Sequence, residues 1–355
     1  MAFPSARRPM PDAWFFAWCL TPGFLPDARC PVDMYKYMVL SSVRLKLPVG
    51  VHLDIKAWFN GNIVNWDQVK VSPLSHGFSR GSSIFEVIGI VPTPKGSAYV
   101  CLEDHIKRFF RSSELTGIKL SVTEEDLYSA LIELARVNNV HKGIAKLFAY
   151  YSGVEFETVP HNPVVDVAMF CFDLEHLGIR DQDLASSSST GISAFRKVPN
   201  ECIPSQVKVS GLYVIAYISM MDALARGLND VIMLDIKGNI AEGPTSNVFF
   251  VKQQSVETPT LRNILPGITR KMVIEIAGDL GLDVIERDIR PEEIPGYNEA
   301  FFTGTLEFVR PISEIDGRKL GNSCPGPVTR LIIQKINDIM HGTMNNKYIK
   351  WFSFV

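Results

Sequence analysis

The sequence predicts an α+β protein of two domains, and three observations carry that prediction. Its 355 residues suit about two domains at ~150 residues each. Strand-like runs come in pairs joined by tight turns, as antiparallel sheets require. Helical patterns are mixed among these hairpins, which argues against a doubly wound parallel sheet. Apolar residues are 46% and charged residues 21% of the chain, so the low hydrophobicity and high net charge of disordered chains are absent.

The first domain, small and α/β, spans residues 51–175. Ile55–Phe59 and Ile63–Trp66 flank Asn60-Gly61, a pair that accepts positive φ, so they read as a hairpin. Ser83–Val91 is β-rich, and Ala98–Leu102 is a short strand. It leads into a helix over Glu103–Leu115, with Ile106, Phe109 and Phe110 on one face. Glu124–Val137 is a second helix, and Ala145–Tyr151 and Val164–Phe172 are strands. Asp173–Asp183 is polar and aperiodic, which places an interdomain linker at 176–190, with Ser186–Ser189 as a loop entering the next strand.

The second, larger domain spans residues 191–342 and is a mixed β domain with helices. A helix over Leu212–Arg226 stops at Gly227. Val231–Asp235, the turn Lys237-Gly238-Asn239 and Asn247–Val251 read as a hairpin. Gly267–Leu280 is a helix, Val284–Ile289 and Ala300–Phe302 are strands, and Pro327–Met340 is the last helix. Residues 343–355 form a tail whose apolar Trp351-Phe352-Ser353-Phe354-Val355 suits a site, a subunit contact or simple burial. Residues 1–50 read as an N-terminal extension of unknown role. Their apolar run Trp14–Leu20 is only seven residues long. A signal peptide, an extension, and a start codon placed ahead of Met34 or Met38 all stay open there.

Several function classes are excluded. The formal charge is -2, so the basic excess of a nucleic-acid binder is missing. No apolar run reaches the ~20 residues of a membrane helix. The six cysteines form no C-x-x-C pair, which leaves zinc and redox motifs unsupported and suggests free thiols in a reducing cytoplasm. Histidines are few and scattered, so no metal is expected. Neither G-x-G-x-x-G nor G-x-x-x-x-G-K-[ST] occurs.

Five segments carry possible chemistry. In Pro204-Ser205-Gln206-Val207-Lys208-Val209-Ser210-Gly211-Leu212-Tyr213, a lysine sits among apolar and small residues before a helix. It reads either as a surface loop lysine or as an amine made nucleophilic by partial desolvation. Glu242 opens Glu242-Gly243-Pro244-Thr245-Ser246-Asn247, a turn before a strongly apolar strand, and alone it would pass for a solvated turn carboxylate. Leu265-Pro266-Gly267-Ile268-Thr269-Arg270 puts a loop at a helix start, where backbone N–H groups bind anions. Phe302-Thr303-Gly304-Thr305 is a second small-residue turn suited to an anion. His105-Ile106-Lys107-Arg108 offers an arginine fork to a phosphate, or an ordinary solvated helix arginine.

Taken together, in this order and spacing, these segments resemble the class IV, or fold type IV, pyridoxal-phosphate aminotransferases. That family includes branched-chain and D-amino-acid aminotransferases, R-selective amine transaminases and aminodeoxychorismate lyases. The resemblance runs from Trp58 to Met340. It implies the two-domain fold of the D-amino-acid aminotransferase type, the cofactor pyridoxal 5'-phosphate and, typically, a homodimer. It also implies roles for residues. Lys208 matches the Schiff-base lysine, Glu242 the partner of the pyridine nitrogen, and Tyr213 the tyrosine beside the phenolic oxygen. Arg108, Ile268, Thr269 and Thr305 match the phosphate ligands, while Asn247 reads as a turn-stabilising residue.

The substrate side departs from the family pattern. Branched-chain enzymes usually carry His-Tyr-Gly where this chain has Ser79-Arg80-Gly81, and the Tyr-x-Arg strand of those enzymes is not intact near Lys146. D-amino-acid enzymes place an arginine where Ser152 stands. The expected substrate contacts are Phe78, Arg80, Tyr150 and Gly304, with Phe85 and Phe148 suiting an aliphatic side chain. Arg80 suits a substrate carboxylate or, equally, a salt bridge with Glu86 or another nearby acid. The resulting expectation is a transaminase between an amino donor, branched-chain by default, and a 2-oxo acid. The alternatives are a D-amino-acid or R-amine transaminase, and an aminodeoxychorismate lyase.

Overall fold

Among the described residues, two large sheets and the helices packed against them make up the bulk of the fold. The computed structural model describes residues 55–180, 184–342 and 346–355, together with the backbone of 39–40 and 43–44. The readings made for the N-terminal extension otherwise lie outside the described residues. Val39–Leu40 (β1) pairs antiparallel with Val43–Arg44 (β2).

The first sheet has seven strands, all antiparallel. They are Lys56–Phe59 (β3), Asn62–Asn65 (β4), Ser83–Thr93 (β5), Gly96–Val100 (β6), Gly143–Tyr151 (β7), Val165–Asp173 (β8) and Phe352–Phe354 (β18). Their spatial order is β18-β6-β5-β7-β8-β3-β4. The Asn60-Gly61 turn closes β3 on β4, with φ positive at both residues. The apolar tail is thus the edge strand β18, paired to β6. The short helix His76–Arg80 (α1) precedes β5. Leu102–Thr116 (α2) ends at Gly117, whose positive φ suits a left-handed cap. Glu124–Val137 (α3) starts from a Thr123/Asp126 capping box. Phe109, Leu127, Leu131 and Leu134 bury the apolar stripes of α2 and α3 against Tyr99, Leu147 and Met169 of the sheet.

The second sheet has nine strands. In chain order they are Ser188–Arg196 (β9), Asp230–Leu234 (β10), Ile240–Glu242 (β11), Asn247–Lys252 (β12), Ser255–Thr258 (β13), Asp283–Glu286 (β14), Glu299–Gly304 (β15), Phe308–Ile315 (β16) and Arg318–Lys319 (β17). The main order is β11-β10-β9-β16-β15-β12-β13-β14, with β17 on β16. The sheet is mixed: β9 runs parallel to both β10 and β16, and β13 parallel to β14. Helices Tyr213–Ala225 (α4), Ile268–Asp279 (α5) and Pro327–Met340 (α6) pack on it. The architecture is α+β.

Three strand readings need correction. The partner of β10 is β11, not the run at Asn247, because the tight turn at Gly238 returns the chain at once to Leu234. Asn247–Lys252 instead pairs with β15 and β13. Strand β9 begins at Ser188, inside the stretch read as loop, and β13 and β16 have no counterpart in the pattern reading. β13 and the first half of β16 are buried on both faces and show no alternation to detect.

The two sheets share apolar contacts. Val91, Val100 and Cys101 meet Ile268, Ile276, Ile332 and Trp351 in one cluster. Near β5 the joint is also polar: the Phe85 N–H donates to the Lys208 carbonyl at 3.0 Å, and Ile84 bridges Val209. No helix among the described residues is long and apolar enough to cross a membrane. Of the cysteines described, Cys101 and Cys171 are buried, Cys202 and Cys324 are exposed, and all four are free.

Candidate active site

The seam between the sheets opens into one pocket, and the seven residues matched to cofactor contacts all line it: Arg108, Lys208, Tyr213, Glu242, Ile268, Thr269 and Thr305. They come from five segments far apart in sequence. Gly304 lines it too.

Lys208 lies in the loop before α4. Its backbone is pinned from both sides, since its N–H donates to Ser112 Oγ of α2 at 3.1 Å and its carbonyl accepts from Phe85. The side chain therefore enters the pocket from a fixed root. Its Nζ is 2.6 Å from Tyr213 Oη and lies 4.7 Å from the centre of the Phe85 ring. An aromatic wall around an amine both desolvates it and holds its cation.

Glu242 ends β11 and is buried. Its Oε2 accepts from Asn247 Nδ2 at 2.9 Å and from the Leu265 N–H at 3.1 Å. Its Oε1 is paired with Lys197 Nζ. Asn247 also donates to the Leu265 carbonyl at 3.0 Å, so it ties the turn after Glu242 to the loop before α5. Gly267 caps α5 and touches the same network: a Cβ there would sit 1.9 Å from Asn247 Oδ1.

Arg108 is held from behind. Its Nε and Nη2 donate to the two oxygens of Glu86, each at 2.7 Å, and Nη1 donates to the Pro266 carbonyl at 3.1 Å. His105 Nδ1 is 2.8 Å from Glu86 Oε2. Glu86 is wholly buried. Burial alone would raise its carboxyl, but Arg108 and then His105 bring it down to about 2. Burial lowers His105, so the imidazole is neutral and donates to the carboxylate. The Arg108 guanidinium is thus fixed side-on beside the first turn of α5, whose leading N–H groups have no acceptor within the helix.

Two hydroxyls in the pocket wall are orphaned. Ser246 Oγ and Thr303 Oγ1 are buried and have no hydrogen-bond partner among the described residues. Buried polar atoms normally have partners. With the α5 N-terminus, Arg108, the Lys208 amine and the Glu242 carboxylate, they make a donor set that fits a phosphorylated pyridine aldehyde: anion donors at one side, an amine, and a carboxylate for a ring nitrogen.

Beside Lys208 the pocket joins a more apolar cavity of about 370 Å³, walled by Phe85, Val87, Ile144, Phe148 and Leu306 with Lys146 among them. Phe78, Arg80 and Tyr150 do not line either space. Phe78 and Arg80 are exposed on α1, and Tyr150 faces a separate groove shared with Phe78 and Val214. The salt bridge weighed for Arg80 with Glu86 is absent: Arg80 donates to the Phe156 carbonyl at 2.7 Å, and Glu86 is already engaged by Arg108 and His105.

The sequence reading missed Glu86, Lys146, Lys197, Ser246 and Thr303 as contributors. Ser246 and Thr303 lay inside quoted motifs, and a small-residue turn with a hydroxyl is the signal that would have found them. Lys197 had none, because its partner lies 45 residues away. No group of three or more metal-ligating side chains occurs among the described residues.

Comparison with known proteins identifies the family. Residues 83–315 match the family model described as amino-transferase class IV. A branched-chain-amino-acid aminotransferase of Pseudomonas aeruginosa is 27% identical over 300 residues, 84% of this chain and 96% of that protein. The crystal structure of the branched-chain aminotransferase of Thermoproteus uzoniensis with norvaline superposes with a TM-score of 0.78 at 31% identity, covering 84% of this chain and 98% of that one. The T.th. branched-chain amino acid aminotransferase with pyridoxamine 5'-phosphate gives 0.79 at 29%, covering 85% and 99%.

Proposed function

The chain belongs to the class IV aminotransferases, a pyridoxal-phosphate-dependent family of transferases, and we propose that it moves the amino group of a branched-chain amino acid to a 2-oxo acid. One observation carries the reading of the site: an amine, Lys208, rooted at the seam of the two sheets, shares a pocket with Glu242, Arg108 and the start of α5. The relatives named for branched-chain amino acids support the donor class, and so does the apolar cavity beside Lys208.

Bound pyridoxal phosphate would supply an electron sink for the carbon that loses its proton. Arg108, the N–H groups at Ile268 and Thr269, and Thr305 would hold its phosphate. Glu242 would face its ring nitrogen. Tyr213 would donate to its phenolic oxygen and hold Lys208 in register. Lys208 would tether its aldehyde carbon and, once displaced by the donor's amine, carry the proton away from the donor's α-carbon as general base and return it as general acid. The aromatic wall of Phe85, Phe148 and Tyr213 would keep water from that proton.

A homodimer belongs to the same proposal. Phe78, Phe156, Val214 and Tyr217 are 69%, 78%, 59% and 64% exposed. Phe78 and Val214 line one groove, Phe156 is tied to Arg80, and Tyr217 follows Val214 by one helical turn. A cluster of this kind suits a subunit contact. Phe78 and Arg80 would then reach a substrate across the boundary, and Tyr150 would back that contact.

The visible spectrum tests the reading. The purified protein with added pyridoxal phosphate should show a yellow band that L-leucine bleaches and that Lys208→Ala lacks. A band bleached by D-alanine and not by L-leucine would replace the donor. A protein that stays colourless would end the account.

A further inference from the structure

The strand order of the second sheet joins two charged residues that the family match leaves unconnected. Arg196, the last residue of β9, is in register with Leu234 of β10, and on the other side of β10 Met233 is in register with Glu242 of β11. The next residue, Lys197, has its N–H bonded to the Leu234 carbonyl at 2.9 Å. Its side chain then crosses the end of β10 and pairs with Glu242 Oε1. Both side chains are largely buried, 16% and 6% exposed, and both line the pocket.

Counting lone pairs shows what this does. An ionised carboxylate has about four acceptor sites. Asn247 and the Leu265 N–H take two on Oε2, and Lys197 takes one on Oε1. One site on Oε1 is left to face the pocket. The proton of a ring-nitrogen–carboxylate pair has two resting places. In a dry pocket, burial favours the uncharged arrangement with the proton on the carboxylate. A fixed ammonium in contact with the carboxylate opposes that preference, because it attracts the adjacent anion more strongly than it repels a ring cation beyond it. Burial pulls the Lys197 ammonium down, and Glu242 more than offsets it, so the lysine keeps its charge.

We propose that Lys197 is a positioning residue that holds the Glu242 carboxylate ionised and aimed, so that the ring nitrogen of bound pyridoxal phosphate keeps its proton. The inference rests on the cofactor reading above. It makes the strength of the electron sink a property of a three-residue line, Lys197, Glu242 and the Asn247 turn, rather than of the carboxylate alone.

Ring-15N-labelled pyridoxal phosphate bound to the full chain provides the test, read by 15N NMR at neutral pH. The parent should show the resonance of a protonated ring nitrogen. Lys197→Met should move the resonance toward that of an unprotonated ring nitrogen, and Lys197→Arg should restore the parent spectrum. Adding Lys197→Met to Glu242→Gln should move the resonance no further than Glu242→Gln does alone. Should the methionine variant not fold, Lys197→Gln keeps a neutral donor in place and carries the same expectation. A neutral variant with the parent resonance overturns the proposal, as does a parent whose ring nitrogen is unprotonated. A parent that binds no labelled cofactor fails the functional reading instead.

Discussion

Glu86→Gln isolates the electrostatics behind Arg108. The folded protein holds the Glu86 carboxyl at about 2, against an ordinary 4.5. At roughly 1.4 kcal/mol per pH unit, that preference for the ionised form is worth about 3 kcal/mol at neutral pH. It falls at the lower edge of the ~3–5 kcal/mol lost when one partner of a buried ion pair is removed. The direction with pH follows from the depressed value. Above about pH 4.5 the carboxylate is charged in both the folded and the unfolded chain, and the full contribution is present. Below it the unfolded chain takes up the proton first, and the contribution disappears as pH falls through about 2. Glutamine removes this dependence, so parent and variant should differ most near pH 7 and converge on acidification. At about 2–4 °C per kcal/mol, Tm at pH 7 should drop by about 6–12 °C. Thermal melts at several pH values between 7 and 3 check it. A variant as stable as the parent at pH 7, or a gap that does not narrow toward pH 3, would refute the reasoning.

Other outcomes follow from the same contacts. Gly267→Ala forces a methyl group into Asn247 and should cost about 1–3 kcal/mol, with weaker cofactor binding in a fluorescence titration, because Asn247 anchors Glu242. Arg310→Met leaves the buried Asp230 carboxylate alone and should cost about 3–5 kcal/mol in urea unfolding, while Asp230→Leu added to it should recover much of the loss. Arg80→Ala should raise KM for the 2-oxo acid with little change in kcat if α1 reaches a partner's pocket. Sedimentation of the same protein should then show a dimer.

The elements were legible where chemistry is local. The Asn60-Gly61 hairpin, the helix over Glu124–Val137 with its Thr123 cap and the helix opened by Pro327 each carry their signal within a few residues. Pairing was less legible. Asn247–Val251 looked like the return strand of Val231–Asp235, yet β11 takes that place with only three residues, too few to display a period. The residues that share the pocket could be picked out because Lys208, Glu242 and the Gly267 loop each sit in a contiguous motif. What those motifs omit are the residues that hold them. Glu86 reaches Arg108 through the packing of α2 on β5, and Lys197 reaches Glu242 through strand register; neither is present in a one-dimensional pattern.

The substrate side shows the same limit and yields one more expectation. Ile144, Lys146 and Phe148 alternate along β7 and so share a face, the one that lines the cavity beside Lys208. Burial, followed by the charge of Lys208, lowers the Lys146 ammonium. That ammonium lies 5.2 Å from the centre of the Phe148 ring and, among the described residues, forms no ion pair. Glu307 lines the same cavity as well, but a cation set against an apolar wall is still costly, and an anionic substrate group would offset that cost. Hydrogen bonds to charged groups are worth about 1.5–3 kcal/mol, so Lys146→Met should raise KM by about tenfold or more for a 2-oxo acid with a second carboxylate. An aliphatic 2-oxo acid has only the carboxylate beside its reacting carbon. If Lys146 meets the distal group, its KM should hardly change. Equal losses for the two classes would instead place Lys146 at the carboxylate they share, and no loss for either would remove it from substrate binding.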